Sequence, residues 1–203
     1  MKWKLLPKAG RPPFSLFDDR KVFESWKRRA IEHLRTPPSS DWDWLAIAQH
    51  HGLATRLLDW TTNPLNAAYF AVREVRKADA VVYAARFKWR VDPEAVSPMD
   101  FSDVAKFWPL GVVPRIARQA GLFTVHGKPD IPLEEYSEGL VALTEIVIPK
   151  KARDLLLREL SYYGINAASL FPDLDGLSTF LNWTMESREY WKLEIDETAQ
   201  HKS

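Results

Sequence analysis

The sequence predicts an α+β fold, a single domain in which helices of the N-terminal half pack on a small, mainly antiparallel sheet. Three observations carry this. Apolar residues at helical spacing dominate the early chain, strand-like runs come later, and the two kinds do not alternate as a doubly wound sheet requires. With 203 residues, 46% hydrophobic and 12% aromatic, the chain is long enough for one well-buried core and short for two.

Pro7, Pro12 and Pro13 exclude regular helix from the first 18 residues. Over residues 19–34, Val22, Phe23, Trp26, Ala30, Ile31 and Leu34 recur at helical spacing, and Lys27, Arg28 and Arg29 read as a solvated face rather than a nucleic-acid patch. Ser40 caps a second helix, with Asp41 and Asp43 in its first turn, and Gly52 ends it. His50 and His51 then occupy its last turn about 100° apart, so both cannot face one ligand equally. Asn63 and Pro64 open a third helix that runs to about Lys77, buried through Leu65, Ala68, Tyr69 and Val72. The residues between Gly52 and Asn63 read as a short polar connection between two helices.

Residues 80–87 read as a mostly buried strand, and residues 107–113 as a strand interrupted by Pro109. A short helix over 114–119, a strand over 122–126 and a turn-rich loop over 127–132 follow. Residues 140–149 give a strong strand signal, and 150–163 an amphipathic helix closed by Gly164. A short strand over 165–170 and a last helix from Pro172 to about Met185, with Asp173 and Asp175 in its first turn, complete the domain. It extends to residue 190, and residues 191–203 form a charged, fraying tail.

Composition narrows the function. A net charge of +1 makes no bulk electrostatic case for nucleic acid. The absence of Cys removes disulfides, thiolate metal sites and a Cys nucleophile, and fits a reducing cytoplasm. No apolar run approaches a membrane span, and the N-terminus lacks the apolar centre of a signal peptide, so the expectation is a soluble cytoplasmic protein. The sequence contains no H-E-x-x-H, no G-x-S-x-G and no phosphate-cradling glycine pattern, and an i, i+1 His pair is poor ligand geometry on a helix. No metal is expected.

The candidate site is the segment Q-H-H-G-L-A-T-R-L-L-D-W-T-T-N-P-L-N-A-A-Y-F over residues 49–70. Gln49, His50, Thr55, Arg56, Trp60, Thr61, Thr62 and Asn63 are its candidate ligand-binding residues, and a polar loop feeding a helix N-terminus suits a phosphate or a ribose. A purely structural reading stands beside this. Asp59, Thr61 and Asn63 can satisfy turn and cap amides, Arg56 and Asp59 can pair, and Trp60 can pack.

This segment resembles the FRG domain family, whose members carry a stretch very like A-Q-H-H-G-L-A-T-R-L-L-D-W-T-T-N-P-L. The resemblance continues through R-I-A-R-Q-A-G-L-F-T-V-H (115–126), I-P-K-K (148–151) and S-L-F-P-D-L-D-G-L (169–177). The Phe-Arg-Gly motif that names the family is absent, and Met1 falls just after its expected place, which implies either a late start or a lost phosphate clamp. More distantly, W-T-T-N-P-L-N-A-A-Y-F-A (60–71) is similar to the hydroxyl segment and following helix of ADP-ribosyltransferases.

That likeness implies an ADP-ribosyltransferase-like fold and NAD as cofactor. It also implies Glu145 as the nearest late carboxylate, with Glu138 behind it, as a catalytic candidate alongside His51 and Asp59. In R-I-A-R-Q-A-G-L-F-T-V-H, Gln119 and Thr124 are candidate lining residues and His126 a candidate acid or base. The alternative is a non-catalytic module recognising a nucleotide, a nucleic acid or a protein, in phage or stress defence.

Overall fold

The computed structural model describes residues 4–74, 78–109, 114–136 and 138–187. Helix α1 (Asp19–Ala30) starts at Asp18, whose carboxylate accepts from the amides of Arg20 and Lys21, and tightens into one 3-10 turn over Ile31–His33. Helix α2 (Asp41–His50) starts at Ser40, whose hydroxyl accepts from the Asp43 amide. Gly52, at φ +85°, ends it in the left-handed region that a glycine enters without strain. Unlike α1, α2 is buried nearly all round: each residue from Trp42 to Ala48 is buried.

The stretch after Gly52 is not simply a connection between helices. Residues Leu57–Thr61 form strand β1, the edge of a three-stranded antiparallel sheet in the order β1-β4-β3, with β3 at Val104–Phe107 and β4 at Gly121–His126. The register sets Leu57 opposite Val125, Asp59 opposite Phe123 and Thr61 opposite Gly121. Side chains two apart share a face, so Leu57 enters the main core with α2, Val125, Ala105 and Phe123. Polar residues in the segment hid a strand whose pairing partner lies some 60 residues downstream.

Helix α3 (Pro64–Val72) opens at Asn63, whose side chain accepts from the Leu65 amide. Leu65 is on its outer side, 42% exposed, and Asn66 is buried in its place. Residues 75–77, where the sequence carried this helix further, lie outside the described residues, as do 110–113 and the tail beyond 187. Strand β2 (Ala80–Phe87) pairs with β5 (Leu140–Ile148) as a separate two-stranded antiparallel ribbon. Among the described residues there are thus two small sheets where one was expected. β2 is not mostly buried: it alternates, with Val81 39% exposed, because the ribbon is covered on one side only.

Helix α4 (Pro114–Arg118) leads through Ala120, at φ +48°, into β4. Helix α5 (Arg153–Tyr162) ends at Gly164, at φ +77°. The strand expected at 165–170 is instead one helical turn, α6 (Ala167–Leu170). The local reason is a capping box: Asn166 Oδ1 accepts from the Ser169 amide at 3.1 Å while Ser169 Oγ accepts from the Asn166 amide at 3.1 Å. Helix α7 (Leu174–Glu186) follows, with Asp173 as its N-cap. Helices α3, α5 and α6 enclose a second core around Tyr69, Val72, Leu160 and Leu170. No helix among the described residues is long and apolar enough to cross a membrane.

Candidate functional site

A cleft of about 560 Å³ lies between the two sheets. β1 and β4 form one wall, with Leu58, Leu122 and Phe123. Val81, Val82 and Tyr83 of β2, with Ala67, Phe70 and Ala71 of α3, form the facing wall. Arg115, Ile116 and Gln119 come from α4, and Gln49 and His50 from the last turn of α2. The volume falls within the range of small-molecule sites, about 300–1,000 Å³.

Among the described residues, Asp59 is the carboxylate that lines the cleft. It follows Leu57 on the same strand face, but α2 has ended by then, so the face that buries Leu57 emerges into the open. Gln49 Nε2 donates to Asp59 Oδ2 at 2.9 Å, and Gln49 Oε1 accepts from Thr55 Oγ1. One amide side chain therefore spans from the buried Thr55 to the cleft carboxylate. Asp59 is accessible from the cleft yet recessed among protein atoms. That loss of water raises its pKa, opposed by the Gln49 hydrogen bond and the charge of Arg115. His50 is shifted the other way: burial lowers its pKa, helped by His51 and Arg115 and resisted by Asp173. These surroundings favour its neutral form.

Arg115 is the cation of this site. Its guanidinium lies 4.3 Å from the centroid of the Phe171 ring, a cation–π contact that holds the group near Asp59 and His50. Sequence reasoning passed over it. The motif R-I-A-R-Q contains it, but nothing local distinguishes it from Arg118. Only the α4 turn and β4 pairing bring it to Asp59.

Trp60 is among the residues lining the cleft, its ring packs edge-on against Phe87, and its Nε1–H donates to Thr124 Oγ1 at 3.0 Å; Thr124 Oγ1 is 3.0 Å from His126 Nε2. His126 is wholly buried, its Nδ1 has no partner among the described residues, and burial pushes its pKa down to about 4. It lies behind Trp60, away from the cleft. Thr61 lines the cleft, but its hydroxyl is used: it donates to the Gln119 carbonyl at 2.7 Å and accepts from the Asn63 amide at 3.0 Å. Gln119 ties elements together. Its carbonyl also accepts from Asn66 Nδ2 at 3.0 Å and its Nε2 donates to the Leu170 carbonyl at 3.1 Å.

The fold therefore gathers Gln49, His50, Asp59, Trp60, Thr61 and Gln119 into one cleft and sends the other expected residues elsewhere. Arg56 is 5% exposed and turned inward. Nε and one terminal nitrogen grip both oxygens of Asp19 at 2.8 Å, and the other terminal nitrogen donates to the carbonyls of Pro98 and Met99. Thr55 is buried and accepts from the Leu57 amide at 3.1 Å. Thr62 bonds the Ala120 carbonyl, and Asn63 caps α3. His51 faces a different groove. Glu145 stands opposite Tyr83 on β5, one strand behind the cleft wall, and is itself exposed. Among the described residues no cluster of His, Asp or Glu could hold a metal ion.

Residues 1–80 match the family model described as FRG domain. No curated protein and no solved structure matches the chain. The FRG match covers α1, α2, β1 and α3, and with them Gln49, His50, Asp59, Trp60 and Thr61. Leu5, Leu58, Ala67, Phe70 and Ala71 fall within it too, whereas Arg115, Ile116, Gln119, the β4 residues and the β2 wall beyond Ala80 come from sequence outside the FRG match.

Proposed function

We propose that the cleft binds a nucleotide, with NAD the form that the ADP-ribosyltransferase resemblance favours, and that the protein is a transferase-like enzyme or a relative that retains nucleotide binding. One observation carries this. A carboxylate and a guanidinium face the same mostly apolar, nucleotide-sized space from two walls. The donor set suits the ligand. Apolar walls accept a flat heterocycle, Asp59 can accept from ribose hydroxyls, and Arg115 offers a forked donor to phosphate. Gln49 fixes the carboxylate, and Phe171 fixes the guanidinium. NAD, when bound, supplies an ADP-ribosyl group whose bond to nicotinamide is the one a transferase breaks. Asp59 is then, among the described residues, the carboxylate best placed to act beside the ribose.

A second reading, recognition without transfer, is favoured by the position of Glu145, which belongs to the outer strand and not to the cleft lining. In this reading the cleft holds a nucleotide as a signal, and a protein or nucleic acid is the downstream target. The two readings share the binding step and part at the chemistry.

Calorimetric titration of the purified chain with NAD⁺ tests the shared step. Wild type is expected to bind saturably in the micromolar to low millimolar range, and Asp59→Asn and Arg115→Ala to bind at least about tenfold more weakly, the loss expected for one charge-assisted hydrogen bond. A folded wild-type chain that binds neither NAD⁺ nor ADP-ribose overturns the proposal. Release of nicotinamide over hours, lost in Asp59→Asn, selects transfer; binding with no release selects recognition.

A further inference from the structure

The chain runs on past the end of β2 into a stretch that lies along β3. The Lys106 amide donates to the Trp89 carbonyl at 3.1 Å and the Val91 amide to the Lys106 carbonyl at 2.8 Å, so Arg90 and Lys106 stand side by side in a parallel bridge. Val91, Ala105 and Phe107 belong to the main core, and Trp89 packs against it. Alternation therefore turns Lys88, Arg90, Lys106 and Trp108 to the other side, away from that core. The ring contacts agree. The Arg90 guanidinium lies 4.9 Å and the Lys106 ammonium 5.5 Å from the centroid of the Trp108 ring, and the Lys88 ammonium lies 5.0 Å from that of Trp89.

Like charges set opposite each other on paired strands destabilise the pairing. Arg90 and Lys106 are so placed, and among the described residues neither they nor Lys88 form an ion pair. The acids next along the chain are turned to backbone amides: Asp92 accepts from Glu94 at 3.0 Å, and Asp103 from Val104 at 2.6 Å. Glu138, beside the Gly139 carbonyl that the Lys88 amide meets, forms no ion pair either. Trp108 is half-buried and joins none of the three buried clusters, whereas Trp26, Trp42, Trp44, Trp60 and Trp89 each belong to one or pack against it. Three cations thus surround an indole that core packing does not account for.

We propose that this face binds single-stranded nucleic acid, with Lys88, Arg90 and Lys106 on the phosphates and Trp108 under a base. A base stacked on an indole is worth more than an exposed cation held over it, so the base takes the cation's place on the ring and the cation turns to the strand. An acidic peptide would meet the three charges equally well but brings no flat ring to the indole. A duplex keeps its bases in the stack, out of reach of Trp108. The net charge of +1 makes the attraction local to this face. None of the four residues lines the cleft, so nucleic-acid binding and NAD⁺ binding succeed or fail separately.

Fluorescence anisotropy with labelled twelve-residue oligomers of thymidine and of uridine tests this on the full chain. Wild type is expected to bind with a Kd on the order of 10–100 μM in 50 mM NaCl, and roughly twentyfold more weakly in 200 mM, as three phosphate contacts to a single strand imply. Binding of either oligomer meets the expectation, and the tighter one names the strand as DNA or RNA. Lys88→Gln with Arg90→Gln, both at exposed positions, should stay folded and bind at least about tenfold more weakly. Trp108→Leu should lower affinity for the oligomers at least about fivefold and leave affinity for polyphosphate of the same length unchanged, since polyphosphate carries charge and no base. Wild type itself should bind polyphosphate more weakly than the oligomers, which tests stacking even where Trp108→Leu does not fold. Failure to bind either oligomer overturns the proposal, as does binding that survives the paired glutamine variant or a folded Trp108→Leu. Polyphosphate that binds as tightly as the oligomers reduces the face to an anion surface and overturns it. A twelve-residue aspartate peptide that displaces the oligomer as well as unlabelled oligomer does assigns the face to an acidic protein and also overturns it.

Discussion

Arg56 and Asp59 lie three residues apart in the most conspicuous stretch of the sequence and have opposite fates. Arg56 is 5% exposed, and its guanidinium is spent on both oxygens of Asp19 and two backbone carbonyls. Asp59 has the Gln49 amide and otherwise opens on the cleft. Both are charges in the same motif, yet one locks the start of α1 to the turn at residues 98–99 and the other opens on the cleft. A dense polar motif is therefore not one site. Half of it builds the wall, and half of it faces the room. The cation that a ligand would meet is Arg115, supplied from a separate helix.

The sharpest way to break this comparison is to remove Arg56. Arg56→Ala leaves Asp19 and two carbonyls without their donor, and is expected to cost about 3–5 kcal/mol, as loss of one partner of a buried pair does. Chemical denaturation measures it. A loss below about 1 kcal/mol, together with lost ligand binding, would move Arg56 from wall to site.

A somewhat smaller effect is expected from His126, which stands on the wall side behind Trp60. Its folded pKa, about 4, lies below its ordinary value of 6.5, so the unfolded chain takes up the proton first. Stability is therefore lost as pH falls from about 6.5 to about 4, by up to about 3 kcal/mol. His126→Gln keeps a partner for Thr124 and should flatten that slope. An unchanged slope would assign the acid sensitivity elsewhere.

The smallest effect on stability is expected at Asp59, where it has the opposite sign. Burial raises its pKa, so its ionised form is disfavoured by folding, and that cost is relieved as pH falls through the raised pKa. Asp59→Asn keeps an acceptor for Gln49 and should leave the melting temperature at pH 7 unchanged or slightly higher. Ligand affinity should fall at the same time. A marked drop in melting temperature would return Asp59 to the structural half of the motif.

Most elements were legible in the sequence because their signals are local. Ser40, Asn63 and Asp173 cap the helices they precede, and Gly52 and Gly164 end theirs. β1 was not, because Asp59, Thr61 and Thr62 read as loop and the pairing that makes it a strand is with β4, far along the chain. The helical turn at Ala167–Leu170 was missed for a smaller reason: the Asn166–Ser169 capping box outweighs the strand-like look of its residues. For the site, the segment was legible and the direction of its side chains was not. Nothing local turns Arg56 toward Asp19, which is 37 residues earlier. The separation of His50 from His51 was foreseeable from helix geometry alone, since adjacent residues on a helix point apart.

The measurement that tests the division most directly is an amide-resolved NMR titration of the chain with NAD⁺. The account predicts shifts at Gln49, Asp59, Trp60, Thr61 and Arg115, with the Trp60 indole among them, while Asp19, Thr55 and Arg56 stay still. No shifts, or shifts centred on Arg56 and Asp19 or on the α1–α2 groove, would contradict it.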